Sequence, residues 1–152
     1  MVKTMDKMII KYQLLTDKAQ PPVYASAGAA CFDLHAAEGG ILRVGEHITI
    51  DIGIAVEVPP GYAMMIYSRS GHAAKHGVRL SNCVGVIDSD YRGPIKVMLT
   101  HDGDIYKDRP LAINVGDRIA QGMIVPVSAC VFELGQLSDT ERGAGGFGST
   151  GK

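Results

Sequence analysis

Hydrophobic and polar residues follow one another along this chain in short runs that are typical of β-strands. Most of these runs are rich in β-branched or aromatic side chains, which favour extended backbone. The runs cover residues 8–15, 48–50, 52–58, 62–67, 84–87, 95–100, 118–124 and 127–134. Helical periodicity is almost absent, and the one helix we predict is short, around residues 71–76. The pattern therefore predicts an all-β chain.

Turn-forming residues separate these runs at short intervals. Pro-Pro-Gly at 59–61, Arg-Gly-Pro at 92–94, Asp-Gly-Asp at 102–104 and Val-Gly-Asp at 115–117 provide such turns. Their spacing is expected of a β-sandwich or barrel. Since the chain has no Trp and three Phe, its core should consist of Val, Ile, Leu and Met. No repeat divides the chain, so we expect one folded domain over residues 1–140.

Composition and charge narrow the class of protein. The chain has 152 residues, of which 46% are hydrophobic and 20% charged, as is ordinary for one globular domain. A net charge of −1 argues against a nucleic-acid surface. No apolar run is long enough to cross a membrane, and charges interrupt the first fifteen residues, so we expect a cytoplasmic protein without a signal peptide. Three cysteines without C-x-x-C spacing indicate reduced, mostly buried thiols.

The last eleven residues, 142–152, are dominated by glycine. Glycine has much backbone entropy to lose, so this segment should be mobile alone. It becomes useful if a ligand orders it, because glycine lets backbone N–H groups approach an oligoanion. Arg142 can grip such an anion bidentately, and Phe147 offers a flat apolar face. We therefore predict that residues 141–152 form a flexible C-terminal lid that closes over a nucleotide.

Two other interpretations of the glycine-rich segment are open. Residues 146–152 fit G-x-x-x-x-G-K, the pattern of a phosphate-binding P-loop. A working P-loop, however, follows a strand, carries Ser or Thr after the Lys and opens a helix, which this sequence does not provide. The other possibility is a disordered tail without a role.

Three further segments carry side chains that could bind a ligand or take part in catalysis, but each segment alone is weak evidence for such a site. His72 and His76 share one helical face, as in a zinc pair, although the Glu of H-E-x-x-H and a third ligand are missing. Residues 88–93 place two carboxylates at a tight turn, and residues 68–71, Ser-Arg-Ser-Gly, could hold a phosphate. No G-x-S-x-G motif supports a Ser nucleophile.

Taken in order, five segments resemble the five motifs of the trimeric dUTPase family, whose members hydrolyse deoxyuridine triphosphate. The segments read AACFDLHAA, SRSG, NCVGVIDSDYRG, GDRIAQ and RGAGGFGSTG. The resemblance covers the chain from about residue 24 to residue 151, and its third and fifth motifs are very specific.

The resemblance implies a jelly-roll-like β-barrel that assembles as a homotrimer and shares its active sites between subunits. It implies hydrolysis of dUTP to dUMP and pyrophosphate, which keeps uracil out of DNA and supplies dUMP for thymidylate synthesis. Asp88 would orient and deprotonate the water that attacks the α-phosphorus. A Mg²⁺ ion would lie across the phosphates, with Asp33 helping to hold it through water.

The same resemblance implies which residues bind the substrate. They are Arg69, Ser70, Gly71 and Gln121 around the phosphates, Arg142 on the γ-phosphate, Phe147 over the uracil with Gly148 and Ser149 in the same motif, and Asn82, Val86, Ile87, Tyr91 and Lys96 in a hairpin-like segment that holds base and sugar. A pocket lined by Val86 and Ile87 would exclude the methyl group of thymine. Tyr91 would lie where a ribose 2′-hydroxyl would sit.

Departures from the family pattern do not remove a charged or phosphate-contacting group. Cys31 replaces a Gly, Ser68 a Pro, Pro94 a polar residue and Gly122 a larger apolar residue. We expect altered kinetics at most, although Pro94 could reshape the return strand of the hairpin-like segment.

Two other functions compete with dUTP hydrolysis. The related dCTP deaminase shares the jelly-roll fold but needs a Glu some ten residues past the Asp, where this chain has Met98. Without that carboxylate, the chain has no general acid–base at this position to transfer protons during deamination. The second alternative is a catalytically idle jelly-roll that binds a protein, which the presence of Asp88, Arg69 and Gln121 argues against.

Overall fold

The structure is a computed structural model that describes residues 8–105, 107 and 109–147. These residues form eleven strands and one helix. The elements are β1 (Lys11–Leu14), β2 (Phe32–His35), β3 (Gly40–Leu42), β4 (His47–Asp51), β5 (Ile54–Glu57), β6 (Tyr62–Tyr67), α1 (Ser70–His76), β7 (Val78–Leu80), β8 (Val84–Ile87), β9 (Lys96–His101), β10 (Leu111–Ile113) and β11 (Arg118–Pro126). The prediction of an all-β chain is confirmed.

The strands form antiparallel sheets. The largest has the order β2-β11-β6-β8, and a three-stranded sheet has the order β4-β9-β7. Two strand pairs, β1-β5 and β10-β3, complete the described sheets. These sheets are open in the single chain, and β8 lies at one edge of the largest.

The core is aliphatic, as the composition predicts. Its largest fully buried apolar side chains include Leu34, Leu42, Ile50, Ile52, Ile54, Val58, Met64, Val78, Leu80, Ile95 and Ile119. Burying each such side chain stabilises the fold by roughly 1.5–3 kcal/mol before entropy is subtracted. One cluster contains residues of both larger sheets, so the same core supports the residues at their ends.

Seven of the eight predicted strands are confirmed, with small shifts at their ends. They correspond to β1, β4, β5, β6, β8, β9 and β11, and α1 lies where the short helix was predicted. The pattern missed β2, β3, β7 and β10, which are three or four residues long. Such short strands leave little periodicity to detect, and pairing with neighbouring strands holds them in place.

The strand predicted at residues 127–134 is wrong. Residues 127–147 contain no strand or helix. Val131, Phe132, Leu134 and Leu137 are each more than 90% exposed. Strand propensity acts through pairing and packing, and this segment has neither within the described chain.

The hairpin-like shape predicted for residues 82–96 is also wrong. A hairpin would pair β8 with β9, but β8 pairs with β6, and β9 pairs with β4 and β7. The residues between β8 and β9 cross from one sheet to the other. Pro94 lies in this crossing, and its carbonyl accepts a hydrogen bond from the Tyr91 hydroxyl at 3.0 Å.

The cysteines are free thiols, as predicted, but they are not mostly buried. Cys31 is half-buried, whereas Cys83 and Cys130 are exposed. Burial raises the pKa of the Cys31 thiol. No helix in the described part of the chain is long and apolar enough to cross a membrane.

Candidate active site

The largest sheet brings the first, second and fourth motifs together at one end. Gln121 in β11 lies opposite Asp33 in β2 and opposite Tyr67 in β6. Arg69 lies two residues after the end of β6 and directly before α1. Residues that are far apart in sequence therefore meet where β6 ends.

Two guanidinium groups flank the carboxylate of Asp33. Nε of Arg69 lies 3.4 Å from Oδ1, and Nη1 of Arg118 lies 3.2 Å from Oδ2. The side chains of Asp33 and Arg69 are 14% and 24% exposed, so water screens this pair only partly. One carboxylate faces two cations, which leaves one positive charge in excess and suits an anionic ligand.

Hydrogen bonds to backbone carbonyls extend this arrangement. Nη1 of Arg69 donates to the Arg118 carbonyl oxygen at 2.9 Å, and Nε2 of His72 lies 2.9 Å from the same oxygen. Nε2 of Gln121 donates to the Ser68 carbonyl at 2.9 Å. We call Asp33, Arg69, His72, Arg118 and Gln121 the charged cluster.

A β-bulge explains how Arg118 joins the charged cluster. In a regular strand, Arg118 and Gln121 would face opposite sides of the sheet. The pairing of β11 with β2 shifts register between Arg118 and Ala120. Such an irregularity re-aims a side chain, and here the Arg118 guanidinium reaches Asp33.

His35 lies at the border of the charged cluster, opposite Arg118 in the sheet. Burial lowers the pKa of this imidazole, the Asp33 carboxylate partly offsets that effect, and Arg118 and Arg69 lower the pKa further. His35 Nδ1 is buried and has no hydrogen-bond partner among the described residues.

Ser70 and Gly71 begin α1 and are exposed beside Arg69. A Cβ added at Gly71 would meet no atom within 4 Å, so the surface there is open. Both residues are thus accessible to a ligand that contacts Arg69.

The third motif lies on and around the edge strand β8. We call residues 82–91 the β8 segment. Val84 and Val86 are exposed, whereas Ile87 is half-buried and packs against the core. The side chains of Val86 and Ile87 therefore point to opposite faces and do not line one pocket in the single chain. Asp88 and Tyr91 lie beyond the end of the strand, and Tyr91 is exposed.

The β8 segment runs away from the charged cluster. Val84 pairs with Tyr67 near the charged cluster, and Ile87 pairs with Met64 further back along β6. Arg69 lies five residues beyond Met64, or about 16 Å along extended chain. Asp88, which follows Ile87, is therefore separated from Arg69 of the same chain.

The described residues of the fifth motif make no hydrogen bond or ion pair with either region. Arg142 is exposed, and its Nε donates to the Gly145 carbonyl at 2.8 Å. Phe147 is fully exposed. Gly148 and Ser149, together with the P-loop pattern's Lys152, lie outside the described residues. Lys96 is exposed at the start of β9, opposite Asp51.

Zinc does not fit the two helix histidines. Their ring centres are 6.1 Å apart, and Nε2 of His72 faces a carbonyl oxygen. No group of three or more His, Cys, Asp or Glu residues in the described chain could hold a metal ion.

A magnesium ion fits only if the substrate supplies most of its ligands. Both oxygens of Asp33 already face guanidinium groups, which offset the charge of this carboxylate and favour a contact with the ion through water over direct coordination. Mg²⁺ commonly keeps several waters and binds substrate phosphates directly. The donor set therefore fits an ion that arrives with a polyphosphate.

Sequence reasoning missed Arg118 and gave His72 only a zinc role. Arg118 lies in the fourth motif, three residues before Gln121, but alternation along a strand places the two on opposite faces. The bulge that changes this depends on pairing with β2, which the pattern did not predict.

A family model named dUTPase matches residues 17–151. The deoxyuridine 5′-triphosphate nucleotidohydrolase of Nautilia profundicola is 47% identical over 146 residues, which cover 95% of this chain and 100% of that protein. The dUTPase of Staphylococcus bacteriophage 80alpha, solved with dUpNHpp, is 28% identical, with a TM-score of 0.86 over 96% of this chain and 100% of that one. A mutant dUTPase from phage phi11 of S. aureus, which coordinates a structural Mg(II) ion, is 26% identical, with a TM-score of 0.76 over 88% and 99% of the two chains.

Proposed function

The chain belongs to the dUTPase family, and on that premise we propose that it hydrolyses dUTP to dUMP and pyrophosphate. The observation that carries the proposal is the family match over residues 17–151, which contains the charged cluster and the β8 segment. The reaction would remove a precursor of uracil in DNA and supply dUMP for thymidylate synthesis.

The nucleoside would lie along β8. This strand is at the edge of the largest sheet in the described chain, so backbone groups on its outer side could bond a base. Asn82 precedes the strand and would add a side-chain amide, and Tyr91 beyond it would pack on the deoxyribose. The exposed Val86 would limit the space around the base, whereas Ile87, which packs against the core, would fix the position of the strand.

Asp88 would act as the general base. Its carboxylate makes no hydrogen bond or ion pair with the described residues, so both oxygens are available. A carboxylate in this position can orient a water in line with the α-phosphorus and accept its proton as the new P–O bond forms. Pyrophosphate leaves, and dUMP remains.

The charged cluster would bind the phosphates. Arg69 uses Nε and Nη1 within the cluster, and its remaining N–H groups could bond phosphate oxygens together with Ser70 and Gly71. Gln121 donates to the Ser68 carbonyl and would act mainly by fixing the connection between β6 and α1, which carries Arg69. A Mg²⁺ ion bound to the triphosphate would neutralise charge on the phosphates, with Asp33 in contact through water.

We further propose that each site is shared between chains of a homotrimer. Asp88 and Arg69 of one chain are too far apart to act on the same phosphates, so Arg69 would come from a neighbour. The exposed apolar side chains of residues 131–137 support an oligomer, because solvent exposure of such a segment is unfavourable and a neighbouring chain could cover it. The open sheets would then belong to a jelly-roll barrel in the trimer.

The glycine-rich segment would close the site as a lid. We propose a division into a jelly-roll domain at residues 1–140 and a lid at 141–152. Arg142 and Phe147 are exposed, and the Arg142 side chain bonds only to the nearby Gly145 carbonyl among the described residues, so both could move onto a nucleotide. A third chain would supply this lid, with Arg142 on the γ-phosphate and Phe147 over the uracil.

Pyrophosphate release from dUTP, dTTP, dCTP and UTP, with Mg²⁺ and with EDTA, tests the proposed function. We expect Mg²⁺-dependent release from dUTP alone. Ammonia from dCTP would instead identify a deaminase, although the position where that reaction needs a Glu holds Met98 in β9. No reaction with any of the four nucleotides would favour a binding protein.

A further inference from the structure

The helix α1 carries Arg69 at its start, but apolar packing does not fix the helix. None of its seven residues is buried. Its N-cap residue is Arg69, which makes no side-chain capping bond. Its C-terminal end is tied down, because the Gly77 carbonyl accepts a hydrogen bond from the Asp102 N–H at 2.8 Å. Something else must hold the first turn, from which Arg69 reaches the charged cluster.

His72 provides that hold. Its Nε2 lies 2.9 Å from the Arg118 carbonyl in β11, the same oxygen that accepts from Arg69 Nη1 at 2.9 Å. A carbonyl oxygen can only accept, so Nε2 carries the hydrogen. The other ring nitrogen is buried without a partner among the described residues, so this single bond orients the ring.

We propose that His72 is a positioning residue for Arg69. By tying the first turn of α1 to β11, it keeps the Arg69 guanidinium beside Asp33 with its free N–H groups toward the phosphates. The Arg69 guanidinium makes one short hydrogen bond, from Nη1 to the Arg118 carbonyl at 2.9 Å, whereas its contact with Asp33 at 3.4 Å is long for a hydrogen bond. Its position therefore also depends on where the first turn of α1 is held. This inference rests on the proposed function, in which Arg69 binds phosphate.

His76 offers a matched control on the same helix. It lies one turn further along, is exposed, and makes no hydrogen bond to the described residues. The two rings are 6.1 Å apart, so both variants change the same surface. They differ in whether a bond to β11 is lost.

The test compares four variants with the wild type. His72→Phe keeps a ring but removes the donor, and His72→Gln keeps a donor near the position of Nε2. His72→Asn keeps an amide that is too short to reach Arg118, and His76→Phe is the control. The readouts are kcat and KM for dUTP and the dissociation constants of dUpNHpp and of deoxyuridine, which has no phosphates. Circular dichroism monitors folding.

We expect His72→Phe to lower kcat/KM roughly three- to tenfold, mainly through KM, and to weaken dUpNHpp binding by the same factor. Deoxyuridine binding should not change, because the nucleoside does not contact Arg69. His72→Gln should restore most of the loss, and His76→Phe should stay within about twofold of the wild type. Should His72→Phe not fold, His72→Asn is expected to show the same selective loss.

Three results would overturn the inference. One is a folded His72→Phe or His72→Asn protein that behaves like His76→Phe. Another is equal weakening of dUpNHpp and deoxyuridine, which would indicate a general structural role. The third is a wild-type protein that neither hydrolyses dUTP nor binds dUpNHpp, which would also overturn the proposed function. If the wild type is active and the His72 variants match it in activity and in dUpNHpp binding, only the positioning role is overturned.

Discussion

The charged cluster and the β8 segment belong to the same four-stranded sheet but are built in different ways. In the charged cluster, ion pairs and bonds to carbonyls hold Asp33, Arg69 and His72 in place. In the β8 segment, Val86 is exposed at an open edge, and the Asp88 side chain beyond it has no partner among the described residues.

The difference indicates that a single chain completes the phosphate-binding part of the site, the charged cluster, but not the base-binding part, the β8 segment. A phosphate site needs fixed donors, because positive charge must be in place before the anion arrives. A base site on an open edge gains its walls only when other chains and the lid cover it. We therefore expect changes in the β8 segment to affect chemistry most, and changes near the charged cluster to affect binding or stability.

The largest expected effect comes from Asp88→Asn. Removing the base should lower kcat roughly 10²- to 10⁴-fold while dUpNHpp binding stays close to that of the wild type. Single-turnover pyrophosphate release and calorimetric titration measure the two quantities. Equal losses in kcat and in dUpNHpp affinity would mean that Asp88 is a binding residue. Catalysis would then not be confined to the β8 segment, nor binding to the charged cluster.

Deleting residues 143–152 should have the next largest effect. Without the lid, water enters the site and the substrate is less well oriented, so turnover should fall about 10- to 100-fold. The oligomeric state and the melting temperature should stay unchanged, because residues 143–147, the part of this segment that the structure describes, contribute nothing to the core. A truncated protein with full activity would refute the lid, and a monomeric one would give this segment a role in assembly.

Gly122→Ala should reduce stability beside the charged cluster. A Cβ at this position would clash with Cε2 of Phe32, so the buried Phe32 ring would have to shift. We expect a loss of about 1–3 kcal/mol and a melting temperature lower by several degrees. Phe32→Leu should recover much of the loss in the double variant. An unchanged melting temperature for Gly122→Ala would contradict the close packing of these two residues.

The smallest effect concerns the pH dependence of stability through His35. Its pKa is lowered in the folded chain, chiefly by burial, so the unfolded chain binds the proton first. The neutral His35 therefore contributes to the stability of the folded chain. This contribution to stability is present above the ordinary histidine pKa of about 6.5 and is lost as the pH falls through the lower pKa of the folded chain. In EDTA, the melting temperature of His35→Gln should fall less between about pH 7.5 and pH 5.5 than that of the control His47→Gln, whose site is exposed. Parallel curves would contradict the burial argument.

The sequence predicted the all-β class and the longer strands because their side-chain patterns extend over several residues. The structure brings Asp33, Arg69 and Gln121 into one cluster, as the resemblance implied. The roles of the individual site residues stay predictions.

Other features depend on pairing that no local pattern contains. The bulge that turns Arg118 toward Asp33 requires β2, and the crossing after β8 requires two sheets. Residues 127–134 look like a strand because their side chains suit one, but the described part of the single chain offers no partner strand. The departure at Gly122 also has a physical reason, since Phe32 occupies the space that a larger side chain would need.

Sharing of the site between chains is the central claim, and mixed trimers test it most directly. Asp88→Asn and Arg69→Ala chains with different tags would be co-expressed, and trimers carrying both tags purified. If Asp88 and Arg69 of each site come from different chains, roughly one site in three in every mixed trimer has both residues intact. We predict about one third of wild-type activity, against almost none for either variant alone. Mixed trimers as inactive as the single variants would show that each chain forms its own site and would contradict the account.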